Sequence, residues 1–207
     1  DGTLTNGSTW TEGKFGGALN FDGENDLLKL PSTILNGITD FSASFHFLEN
    51  LNNTDHHHFI SVANASTANR FILGLKSNYE FNINDSITGA SLLNYQSTHN
   101  FINWSPIAVS RNSSSTKLFV SGILVTHASH SGDSLTISEN GLWVGGDQDS
   151  VGGGWSSSQQ LNGSIDDLRI YDRALTAFEM KALYELGEQP VHESGSGATT
   201  VVNGTVA

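Results

Sequence analysis

The segment Lys117 to Thr126 reads KLFVSGILVT and turns on Ser121-Gly122, a pair suited to the left-handed backbone of a two-residue hairpin. Such a turn sets Val120 opposite Ile123 and Leu118 opposite Val125 on one face, with Phe119 opposite Leu124 on the other. Apolar side chains on both faces mean that the hairpin is covered from both sides. A single sheet with one wet face cannot do that. Two stacked layers can, so the hairpin points to a β-sandwich.

The rest of the chain agrees. Phe41, Ala43, Phe45 and Phe47 alternate with Ser42, Ser44 and His46, the period of a strand with one buried face. Further strands are expected at 17–22, 26–31, 70–76, 79–84, 91–96, 105–111 and 141–146, separated by Gly, Asn and Asp turns such as Asp22-Gly23. With 207 residues, 11 Phe and 4 Trp, the chain can fill one sandwich core, and its 22 Gly fit many short strands. The formal charge, 9 − 21 = −12, argues against nucleic acid and anionic membranes as partners. No apolar run is long enough to span a bilayer, and the absence of Cys rules out disulfides and thiolate metal sites.

Leu161 to Gly187 reads as a strand, a turn and a capped helix. Simple alternation puts Asp166, Leu168 and Ile170 on one face of the strand and Asp167, Arg169 and Tyr171 on the other. A carboxylate aimed among apolar neighbours needs a counter-charge, several N–H donors or a metal ion. Thr176 to Glu179 has the capping-box spacing, and Leu175, Phe178, Ala182, Leu183 and Leu186 form the expected apolar stripe.

Gly163, Ile165 to Tyr171 and Arg173-Ala174-Leu175 resemble the closing segment of bacterial laminin-G-like, concanavalin A-like jelly-roll domains. Gly16 to Asp26, GGALNFDGEND, resembles their opening strand and turn. The resemblance implies an all-β, two-sheet antiparallel jelly-roll sandwich with one short C-terminal helix over residues 1–190. Residues 191–207 then read as a linker or the start of a following domain. It also implies that the first and last strands are neighbours and that a structural Ca²⁺ lies near them, with Asp22, Asp26 and Asp166 as its carboxylates. The alternative is that Asp22 builds a tight turn with Gly23 while Asp166 accepts backbone N–H groups.

A second candidate is the loop 147–155, DQDSVGGGW. Asp147 and Asp149 supply carboxylates, the glycines let backbone approach a ligand, Trp155 can stack on a sugar, and the loop can hold sugar hydroxyls on a bound calcium. The alternative is a mobile loop with Trp155 folded on the core edge. His56 and His58 share a face if extended and read as part of a solvated loop or as a ligand-facing polar strand, a poor zinc site without a third ligand. The two-carboxylate strand of laminarinase-type glycosidases and the other hydrolase motifs are absent, so the chain reads as non-catalytic. The expectation is a monomeric, calcium-bound, glycan-binding module of a multidomain adhesin or secreted protein, extracellular or on a bacterial surface. A structural spacer, a protein-binding domain and an accessory module of a polysaccharide-degrading enzyme are the competing readings.

Overall fold

A computed structural model describes residues 2–50, 56–65, 71–85 and 91–187. Asp55, within the polar loop before the histidines, and the 191–207 segment lie outside the described residues. In chain order the strands are β1 (Thr3–Thr5), β2 (Thr9–Gly13), β3 (Gly16–Asp22), β4 (Leu27–Lys29), β5 (Phe41–Glu49), β6 (His57–Val62) and β7 (Phe71–Leu75). They continue with β8 (Glu80–Asp85), β9 (Ser91–Gln96), β10 (Ser105–Arg111), β11 (Ser115–Val120), β12 (Ile123–Ser129), β13 (Leu142–Val144) and β14 (Asn162–Tyr171), followed by helix α1 (Ala177–Gly187).

Among the described residues these strands make two seven-stranded antiparallel sheets, ordered β1-β4-β13-β6-β7-β8-β9 and β12-β11-β10-β5-β14-β3-β2. The inward residues of the alternating strands, Phe41, Phe45 and Phe47 from the second sheet and Phe59, Phe71, Leu73 and Phe81 from the first, meet in one core. The opening and closing strands are neighbours as expected, with Asp22 opposite Asn162 and Leu19 opposite Ile165. The chain is an all-β, two-sheet antiparallel sandwich with one short C-terminal helix.

The hairpin at 121–122 forms with both turn residues left-handed, Ser121 at φ 52° and Gly122 at φ 71°. Val120 faces Ile123 and Phe119 faces Leu124, but a bulge then moves Leu118 from Val125 to Thr126. The second cover is a helix rather than a sheet: Phe119 and Ala108 pack under Leu175 and Met180. Strand β12 is an edge, so Ile123 stays 67% exposed. The capping box forms, with Thr176 N–H donating to Glu179 at 2.8 Å and Glu179 N–H to Thr176 Oγ1 at 3.2 Å. The expected stripe is corrected: Leu175, Met180 and Leu183 face the sheet, while Phe178 is 80% exposed.

Candidate functional site

The strand carrying Asp166 does not alternate simply. Asp166 pairs with His46 and Arg169 with Ser44, with a bulge between them in which Asp167 takes φ 52°. Asp166 therefore lies on the outer face of the second sheet, opposite to Leu168 and Ile170, which pack on the core. It is buried all the same, because the turn between β2 and β3 folds over it. Its oxygens accept the N–H groups of Phe15 at 2.8 Å and Asp167 at 2.7 Å. The expected three-carboxylate calcium cluster is not assembled: Asp166 stands four residues along β14 from Asn162, the partner of Asp22.

Asp22 and Asp26 do come together. Asp22 Oδ1 takes the N–H groups of Glu24 and Asn25, the turn expected of Asp before Gly23, and Asp22 N–H donates to Asp26 Oδ2 at 3.1 Å. Asp26 is buried and its Oδ1 has no hydrogen-bond partner. Burial raises its carboxyl above the ordinary range, helped by the charges of Asp22 and Glu24.

The second candidate is an ordered loop hung from β13. Its base closes where Leu161 N–H donates to Gly145 at 2.8 Å and Gly146 bridges Gln160. Gln148, fully buried, pins the loop to the sheet: its amide nitrogen donates to the Ser61 and Gly141 carbonyls, and its oxygen accepts Gly152 N–H at 2.9 Å. Ser150 and Gly153 pair by two backbone bonds, so the glycine run makes a tight turn. Asp147 is buried and Asp149 exposed. Burial pushes the Asp147 carboxyl up to about 6, with the Asp149 charge adding to it. Trp155, half-buried, meets the buried Trp143 edge to face at 5.3 Å.

The histidines lie beneath the far end of this loop. His56 N–H donates to the Ser158 carbonyl at 3.2 Å, and His58 Nδ1 donates to the Gln159 carbonyl at 3.2 Å. His58 is buried, and desolvation lowers it to about 4, so it is a neutral prop for the loop and does not face a ligand. His57 points the other way, with Nε2 3.0 Å from Glu49 and Nδ1 accepting Asn162 N–H. Sequence reasoning missed Gln148 and Gln160. The available signal was the exit Gly145-Gly146, where absent side chains leave room: a Cβ on Gly146 would stand 2.6 Å from Gln160 Oε1, a buried oxygen without a hydrogen-bond partner.

The donor set suits calcium better than zinc. Asp147 and Asp149, two residues apart in one loop, offer carboxylate oxygens, ligands of the hard-cation kind. No group of three His, Cys, Asp or Glu side chains converges among the described residues, so carbonyls, amides and water would make up the remainder.

Residues 22–181 match the Laminin_G_3 family, described as the concanavalin A-like lectin/glucanases superfamily. The chain belongs to that superfamily. Curated proteins give no match. Among solved structures the fold is similar to the native heptameric SAP-like pentraxin of Limulus polyphemus, at 17% identity and TM-score 0.64 over 80% of each chain. Domain 4 of AbnA, a GH43 extracellular arabinanase from Geobacillus stearothermophilus solved with arabinotriose, aligns at 19% identity and TM-score 0.63, covering 88% of this chain and 87% of that one. A structure of botulinum neurotoxin type C, whose cell entry depends on two ganglioside molecules, aligns at 14% identity and TM-score 0.65 over 91% of this chain and 47% of that one.

Proposed function

We propose that this laminin-G-like sandwich is a non-catalytic glycan-binding module whose ligand meets the loop 147–160 with the help of calcium. The observation that carries the reading is the loop itself. Gln148 locks it, a buried and an exposed carboxylate flank that anchor, and Trp155 of the loop packs edge to face on Trp143 of β13. A rigid loop on a rigid sheet presents such groups without paying ordering entropy when ligand arrives. Asp147 and Asp149 would hold the ion together with carbonyls and water, and bound calcium would supply direct coordination of sugar hydroxyls. Trp155 offers an aromatic face for the sugar's C–H side. The arabinotriose complex of the AbnA domain and the ganglioside dependence of the neurotoxin support a sugar as ligand. A place outside the cell, in a surface adhesin or a secreted protein, goes with this reading.

One observation favours a second reading, in which calcium serves rigidity alone. The partnerless Oδ1 of buried Asp26, beside Asp22, is where a cation would stitch the β3–β4 turn. Calorimetric titration of calcium into the wild type, D147N and D26N separates the two. Loss of a binding event in D147N, together with glycan binding, supports the loop site; glycan binding unchanged in D147N overturns it. Loss of a calcium event in D26N alone, with no effect on glycan, assigns the ion at Asp26 to structure.

A further inference from the structure

Trp10 is 61% exposed, in contrast to the half-buried Trp155 of the loop and the buried Trp143 of β13. It sits on β2, the edge strand of the second sheet, directly opposite Leu19. Leu19 belongs to the core, so Trp10 is on the inward face, yet its indole lies open to solvent. The core beneath does not account for Trp10's position.

Its immediate surroundings have a specific form. Alternation puts Glu12 on the same face as Trp10, two residues along, and Glu12 pairs with Gly17. Gly17 is exposed and has no side chain; a Cβ built on it would touch the indole at 3.6 Å, which places the ring against the glycine. Glu12 is also exposed. The strand edge thus carries an aromatic plane, a bare glycine beside it and one carboxylate acceptor, all in solvent and on paired β-structure. An aromatic face with an adjacent acceptor complements a sugar ring, whose C–H groups stack while its hydroxyls donate.

We infer that Trp10, Glu12 and Gly17 form a second, calcium-independent sugar-stacking site on the edge of the sandwich, so that the module grips a glycan chain or a glycan-coated surface at two points. The inference rests on the glycan reading above, but it uses residues of the other sheet and no metal. Two weak sites on one rigid body raise avidity without any new contact within either.

The test is a glycan-array screen of the wild type, W10A and W155A, in calcium and in EDTA, with thermal melts to show that each variant is folded. A solvent-facing Trp on an edge strand leaves the melting temperature near that of the wild type when truncated. Expected is a set of glycans whose binding survives EDTA and W155A but falls about tenfold or more in W10A. Partial retention in W10F, with an aromatic plane restored, separates stacking from fold. Wild-type binding that W10A leaves unchanged on every glycan overturns the inference and leaves the loop site standing. If the wild type binds nothing in either buffer, the glycan reading and this inference fall together.

Discussion

At the scale of single residues, two buried titratable groups pull stability in opposite directions with pH. His58 keeps its neutral form down to about pH 4 in the fold but takes a proton near 6.5 when unfolded. Between those values the unfolded chain binds more protons, so the His58 contribution is full above pH 6.5 and is lost as pH falls towards 4, by up to about 3 kcal/mol. Melts in EDTA at pH 7.5 and 4.5 should fall less steeply with acid in H58N than in the wild type; equal slopes would contradict a buried neutral imidazole. Asp147 has the reverse sign. Its carboxyl holds its proton up to about 6, so its contribution is present below the ordinary 3.8 and is lost as pH rises through 6. A divalent cation relieves that cost only where the group is ionised. The rise in melting temperature on adding calcium should therefore grow from pH 5 to pH 7.5, and in D147N it should be flat. The residue types at this loop were legible in the sequence, but the burial that separates Asp147 from Asp149 was not. It arises from Gln148, whose partners Ser61 and Gly141 come from elsewhere in the chain.

At the scale of elements, periodicity located the strands and the capping box but misassigned which residues two of them bury. The 161–171 strand breaks its period at Asp167, because a bulge inserts there and turns Asp166 to the outer face. An extra residue of that kind leaves no mark on hydrophobicity. Helix α1 was expected to bury Phe178 and Leu186, the larger apolar side chains, yet it rests on β10 and β11 through Leu175, Met180 and Leu183. Which line of a short helix faces the sheet is decided by where its cap is tied, and Arg173 and Thr176 tie Glu179 at 2.7 and 2.8 Å and hold it at about 2. Met180→Ala should cost about 2–4 kcal/mol in chemical denaturation, whereas Phe178→Ala should change stability by under about 0.5 kcal/mol. The reverse order would mean that the helix docks on its other face.

At the scale of the whole molecule, the two sheets are joined by charge as well as by the aromatic core. Arg111 at the end of β10 donates from Nε to Asp85 of β8 at 2.7 Å, and its other nitrogens reach the carbonyls of Thr39 and Asp133. Both side chains are buried, and Thr116 also donates to Asp85 at 3.0 Å. Removing one partner strands the other charge away from water, so R111M should lose about 3–5 kcal/mol, and the double variant R111M/D85L should recover much of it. Additive losses in the double variant would show that the pair is not coupled. Nothing in the sequence announced this clamp, because Asp85 and Arg111 end strands of different sheets. By contrast the two-sheet architecture was legible from the strand alternation and from the two terminal motifs, whose resemblance to the family implies the pairing of β3 with β14, whereas the second cover of the 117–126 hairpin is the helix.

Glycan binding itself is the most direct measurement: the chain is screened on a glycan array in millimolar calcium and again in EDTA, with circular dichroism to confirm that the fold persists. A calcium-assisted loop site gives binding to a defined set of glycans in calcium, most of it lost in EDTA while the sandwich stays folded. Binding that is wholly indifferent to EDTA, or no binding in either buffer from a folded chain, would contradict a calcium-assisted site at the 147–160 loop.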